Sequence, residues 1–138
     1  MKKLSLSISA VWGIVGALLL GFASLSASAA TPQDMLSGYT AQAGAPAQAA
    51  RGQQLFTTKH GKEWSCSTCH SASPTVDGKH ASTGKVIGAL APAFSPERFT
   101  DPAKTEKWFR RNCNDVMGRE CTAAEKADVL AWLMTFKR

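Results

Sequence analysis

Cys66-Ser67-Thr68-Cys69-His70 places two thiols two residues apart, with an imidazole directly after the second. Thiols at this spacing can each add across one vinyl group of a single haem, and the imidazole can then reach the iron from the same face. Two other chemistries use such a cysteine pair. A thioredoxin-like redox pair needs a βαβ pattern around it, and none surrounds this run. A zinc site needs two further ligands at tight spacing, and Cys113 and Cys121 are too far apart from each other to form a second knuckle.

The start of the chain supports haem. Met1 to about Ala30 reads as an export signal: Lys2 and Lys3, the apolar run Val11 to Leu20, then the small residues Ala27-Ser28-Ala29, with cleavage near Ala29 or Ala30. The run is too short and too broken by Gly and Ser for a membrane span. A periplasmic protein is expected, without stable membrane insertion after cleavage; an uncleaved anchor is the alternative. Residues 31–138 then form one monohaem domain. The formal charge of +6 includes Lys2 and Lys3, so that domain carries about +4, half of it offset by two haem propionates. That balance does not argue for nucleic acid, and it is compatible with docking an acidic protein. Cys113 and Cys121 are an even remainder in an oxidising compartment, which reads as a disulfide; two free thiols are the alternative.

Around these residues the pattern is helical. Thr31-Pro32-Gln33-Asp34 supplies an N-cap and a first-turn proline for a helix to about Ala43, with Met35, Leu36 and Tyr39 at helical spacing, ended by Gly44-Ala45-Pro46. A second helix covers about 48–57, where Gly52 lies four residues before Phe56 and lets another helix approach closely. Its expected partner is a C-terminal helix over about 122–136. There Thr122-Ala123-Ala124-Glu125 is a capping box, Val129, Leu130, Leu133 and Phe136 form a stripe, and Trp132 and Met134 flank it. A third helix is expected from Asp101 or Pro102 to Arg111, burying Trp108 and Phe109. Between His70 and Pro96 no helical or strand period is visible. So long an irregular stretch is unusual unless it wraps a cofactor that supplies the missing core. The fold class is all-α, with four to five helices around one covalent haem.

The sixth iron ligand is open on residues alone. Met117 lies downstream of the haem motif and before the last helix, where a methionine ligand would sit. Met134 and Met35 read as core, His80 could reach from the flexible loop, and His60 reads as packing near the haem segment. Asn112 ends the expected third helix, where asparagine is a common stop residue. Asn114 is a weaker candidate beside it. On pattern alone Met117 leads Asn112.

A helix with Gly52-x-x-Leu55-Phe56, then Cys-x-x-Cys-His, an irregular loop and a capped C-terminal helix resembles the class I cytochrome c fold. The second half is more specific. Thr83-Gly84-Lys85, Leu90-Ala91-Pro92, Arg98-Phe99-Thr100-Asp101, Glu106-Lys107-Trp108, Arg111-Asn112-Cys113-Asn114 and Gly118-Arg119-x-Cys121 are similar to the sphaeroides haem protein family, over essentially all of 31–138. The resemblance implies one covalent haem c bound by Cys66, Cys69 and His70. It implies Asn112 rather than Met117 as sixth ligand, with a Cys113–Cys121 disulfide beside it. It also implies electron exchange with a dihaem cytochrome c and a membrane cytochrome b, and binding of small diatomic gases by the reduced haem.

Ligand type then sets function. A carboxamide oxygen is a hard, weak donor that ferric iron tolerates and ferrous haem does not prefer, so an asparagine bond should weaken on reduction and lower the potential. The expected protein carries one electron between haem proteins and frees the Asn112 position for O₂, CO or NO when reduced. The alternatives are a haem enzyme or sensor acting on O₂ or NO, and a standard His/Met carrier using Met117. No organic substrate pocket or catalytic acid–base pair is visible, which favours a carrier over an enzyme. Trp64 and Trp108 are candidates to line the haem pocket. Arg110, Arg111 and Arg119 lie on the expected distal side, and the Pro92 carbonyl is a candidate acceptor for the second nitrogen of His70.

Overall fold

The computed structural model describes residues 29–138; nearly all of the expected export signal lies outside them. Five helices are formed among the described residues: α1 (Pro32–Ala43), α2 (Ala49–Thr57), α3 (Cys66–His70), α4 (Pro102–Met117) and α5 (Ala123–Leu133). A minimal antiparallel hairpin, β1 (Gly78–Lys79) and β2 (Val86–Ile87), pairs Gly78 with Ile87. Among the described residues no helix is long and apolar enough to cross a membrane.

Local chemistry fixes the ends of α1 and α5. The Thr31 hydroxyl accepts from the Asp34 amide at 3.1 Å while the Asp34 carboxylate accepts from the Thr31 amide at 2.9 Å. Two otherwise orphaned donors of the first turn are thereby satisfied. Thr122 and Glu125 repeat the device on α5. Gly44 ends α1 at φ 64°, a left-handed conformation that glycine takes without steric cost.

The core lies where α1 and α2 pack on α5. Met35 and Tyr39 meet Ala127 and Leu130 on one side, and Phe56 meets Val129, Trp132 and Leu133 on the other. Leu130 and Leu133 are wholly buried, each contributing roughly 1.5–3 kcal/mol. Gly52 lets α2 reach α5: a Cβ there would run into the Asp128 carbonyl and approach the Val129 amide. Asp128 also completes α2. Its buried carboxylate accepts from the Gln48 amide at 2.6 Å and from Arg51 at 2.6 and 3.0 Å, capping a helix whose own N-cap, Gln48, makes no side-chain bond.

Several expectations need correction. α4 continues six residues past Arg111 because Cys113 and Val116 extend the inward face begun by Thr105, and no breaker intervenes before Gly118. Trp108 is not buried but 43% exposed, the inward positions being taken by its neighbours. α5 stops at Leu133, and Trp132 belongs to the core, its ring 4.9 Å from that of Phe56. The stretch after His70 carries the short hairpin. Further on, Phe99 adopts φ 61°, a left-handed conformation that costs a non-glycine residue about 1–2 kcal/mol. It packs against both halves of the core and lies 6.3 Å from Phe109, which anchors the segment entering α4.

Candidate haem-binding site

α3 presents the motif as a single short turn. Cys66 and Cys69 are free thiols, both half-buried. Burial pushes the Cys66 thiol up to about 11. His70 moves the other way: burial, then the positive charge of Arg98, bring its imidazole down to about 4. It is therefore neutral near pH 7, the form that can ligate a metal. Its Nδ1 is buried with no hydrogen-bond partner, so the expected bond to the Pro92 carbonyl is not formed.

The loop that follows is pinned to the motif. Gly78 presses on the end of α3 so closely that a Cβ would collide with the Cys69 carbonyl, and the Ala81 amide points at Cys69 Sγ from 3.4 Å. Pro74 accepts from the Leu90 and Ala91 amides, both at 2.9 Å. Arg98 donates to the Ala89 carbonyl at 3.1 Å and the Gly88 carbonyl at 2.7 Å. Cys66 from α3 and Phe109 from α4 both pack on the Phe56–Trp132 cluster, which brings the two elements to one part of the core.

α4 carries the candidate sixth ligands, and it treats them differently. Asn112 is half-buried, not at a helix end but four residues past Trp108 and on the side of Thr105, Phe109 and Val116. Among the described residues no hydrogen bond engages its carboxamide. Asn114 is exposed and donates to the Arg110 carbonyl at 2.7 Å. Met117 Sδ lies 3.7 Å from Cys121 Sγ, against the Cys113–Cys121 disulfide, which is formed with its Cα atoms 5.6 Å apart. His80 Nδ1 accepts from the Ser82 and Thr83 amides in the hairpin turn, and His60 bonds the Leu55 carbonyl at 2.8 Å. Met35 and Met134 pack in the core. Of the three arginines, Arg119 is paired with Glu125 at 2.7 Å, Arg111 lies over the Trp108 ring at 5.6 Å, and Arg110 is exposed. Trp64 is half-buried.

One feature has no counterpart in the expected site. Glu106 accepts from the Tyr39 hydroxyl and from Lys126, both at 2.6 Å, clasping α4 to α1 and α5. Its only sequence signal is an acid set among the lysines and arginines of α4.

The donor set suits haem. Two free thiols flank a turn that ends in a neutral imidazole with an orphaned Nδ1, and a neighbouring helix offers an unengaged carboxamide beside an exposed tryptophan. A zinc site is not built: among the described residues no group of three or more His, Cys, Asp or Glu could hold a metal ion.

Comparison with known proteins agrees. Residues 42–133 match the family described as Domain of unknown function (DUF1924). The cytochrome c-type protein SHP of Cereibacter sphaeroides is 52% identical over 124 residues, covering 87% of this chain and 94% of that protein. The structure of oxidised SHP, described as an oxygen binding cytochrome c, superposes with a TM-score of 0.73 at 49% identity, covering 78% of this chain and 99% of that one. Cytochrome c'' of Methylophilus methylotrophus, whose solution structure was described for the basis of haem-ligand detachment, gives a TM-score of 0.66 at 36% identity, covering 78% and 94%. The fold is that of a class I-like cytochrome c, all-α with five helices among the described residues.

Proposed function

We propose that this chain, which belongs to the family of the cytochrome c-type protein SHP, is a periplasmic one-electron carrier whose Asn112 ligand is released on reduction so that O₂, CO or NO can bind. As a c-type cytochrome it holds one haem c covalently, and that group supplies one-electron iron chemistry and an axial position for small ligands. Cys66 and Cys69 would form the thioether links, and His70 would hold the iron in both redox states. The burial that keeps His70 neutral keeps its lone pair free for the metal. Asn112 offers a hard carboxamide oxygen that suits the ferric state and is surrendered in the ferrous state. Dihaem cytochrome c and membrane cytochrome b are the proposed redox partners, as the resemblance implies. Export rests on the lysine, apolar and small-residue pattern of residues 2–29.

The observation that carries the choice of Asn112 is its unengaged side chain, beside an Asn114 bonded to its own helix and a Met117 packed on the disulfide. The oxygen binding ascribed to SHP supports the gas-binding half. Optical spectra of both redox states, with and without CO, test the reading. The expected ferric form is six-coordinate and lacks a sulfur-to-iron near-infrared band; the ferrous form is five-coordinate, high-spin and takes up CO readily. A low-spin ferrous form sluggish toward CO would return the chain to the His/Met carriers.

A further inference from the structure

Four cations lie on α4 within eight residues: Lys104, Lys107, Arg110 and Arg111. All are exposed, and none forms an ion pair with another described residue. Lys104, Lys107 and Arg111 follow helical spacing, and Arg110 lies three residues past Lys107, so the four share the side of α4 away from Thr105 and Val116. Trp108, 43% exposed and within 5.6 Å of Arg111, borders the stripe. Acids offset it little. Glu106 feels Arg110 but is occupied by Tyr39 and Lys126, and Asp115 lies a turn beyond Arg111. Elsewhere Arg51, Arg119 and Lys126 are paired with carboxylates, Arg98 is held by loop carbonyls, and the remaining described cations lie two at a time: Lys59 and Lys62 before α3, Lys79 and Lys85 on the hairpin, and Lys137 and Arg138 after α5.

We propose that this outer face of α4 is the docking surface for an acidic protein surface on the electron-exchange partner. A uniform cationic stripe beside an exposed aromatic complements such a surface, steering encounter by charge and offering Trp108 as an apolar contact. The inference rests on the reading of Asn112 as iron ligand for its functional meaning. A partner docked on the stripe would be separated from the Asn112 carboxamide by about the thickness of one helix, roughly 10 Å. Docking and ligand exchange would thus act on the same helix.

The test is stopped-flow reduction of the ferric holoprotein by reduced flavodoxin, an acidic one-electron donor protein. The variants are Lys104→Glu/Lys107→Glu and, as a control of equal charge, Lys59→Glu/Lys85→Glu. At low salt the α4 pair should slow the second-order rate by about 10-fold or more and the control pair by less than about 3-fold, with a steep salt dependence in the parent and the control pair but not in the α4 pair. Reduction by neutral durohydroquinone should be the same in all three. Equal losses in both pairs would mean that net charge alone acts, and no loss would mean that α4 is not the contact; either overturns the proposal. So would an unchanged flavodoxin rate combined with lost pelleting on phosphatidylserine vesicles, which would make the stripe a membrane contact. The CO spectra of the parent report on Asn112 separately, so the two readings fail independently.

Discussion

Met117 Sδ stands 3.7 Å from Cys121 Sγ, so the sulfur that rivals Asn112 is packed on the disulfide that closes the end of α4. Binding iron through that sulfur would compete with this contact. Asn112, one residue before Cys113, has a carboxamide that no hydrogen bond engages among the described residues. Replacing Asn112 by Ala is therefore expected to change the ferric spectrum and raise the reduction potential while leaving ferrous CO uptake nearly intact. Met117→Leu should alter neither state appreciably, since leucine can fill the same apolar space. Spectroelectrochemistry of the two variants checks both expectations; a ferrous haem disrupted only by Met117→Leu would refute the assignment.

Gly52 and Gly38 should respond to the same substitution with opposite sign. A methyl at Gly52 meets the Asp128 backbone carbonyl, which cannot rotate aside, so Gly52→Ala should destabilise the domain by about 2–3 kcal/mol by prising α2 from α5. At Gly38, within α1, nothing lies within 4 Å of the added carbon, and alanine should stabilise by about 0.5–1 kcal/mol through helix propensity. Denaturant midpoints of the two holoprotein variants would show the divergence.

Features that depend on adjacent residues are legible in the sequence. The capping boxes at Thr31 and Thr122 and the stop at Gly44 are short-range chemistry, and Gly52 before Phe56 announces a close helix approach. The Cys-x-x-Cys-His run and the even pair of remaining cysteines are equally plain. The extension of α4 is not. Asn112-Cys113-Asn114 is made of weak helix formers that favour stops, and what carries the helix onward is the inward packing of Cys113 and Val116 and a bridge to Cys121. Trp108 reads as core because large aromatics usually are, but a helix has only one inward face and Phe109 holds it. The clasp of Tyr39 on Glu106 joins residues 67 apart, and the orientation of the Pro92 carbonyl depends on a loop path that composition does not encode.

The Arg119–Glu125 pair sets an acid limit on the domain. The Arg119 guanidinium beside it, with the Thr122 amide, holds the Glu125 carboxyl down to about 2, against the opposing effect of partial burial. A carboxyl depressed in the folded state contributes stability that is complete above its unfolded value, near 4.5, and lost as pH falls toward 2. Because Arg119 is half exposed, solvent screening keeps the contribution well below what the shift alone would imply. The stability difference between the parent and Glu125→Gln should therefore be present at pH 6 and shrink steadily between pH 4.5 and pH 2. A difference that stays constant over that window would show that the pair contributes nothing through charge.

The disulfide should matter for ligand hold as well as for stability. The ties between α4 and the rest of the domain include the Glu106 clasp, Phe109 edge-on to Tyr39 at 5.8 Å and near Phe99 at 6.3 Å, Lys62 bonded to the Asn114 carbonyl at 3.2 Å, and the Cys113–Cys121 bridge. The bridge begins at the residue after Asn112, so it restrains the backbone that presents the carboxamide. Closing a loop with a sequence separation of 8 restricts the unfolded chain by about 2–3 kcal/mol, and the double variant Cys113→Ser/Cys121→Ser should lose about that much. It should also bind added imidazole in the ferric state several-fold more tightly than the parent, because a loosened Asn112 competes less well for the axial position. Thermal unfolding and an imidazole titration followed optically measure the two effects separately. Lost stability with unchanged imidazole affinity would confine the bridge to a structural role and break its link to Asn112.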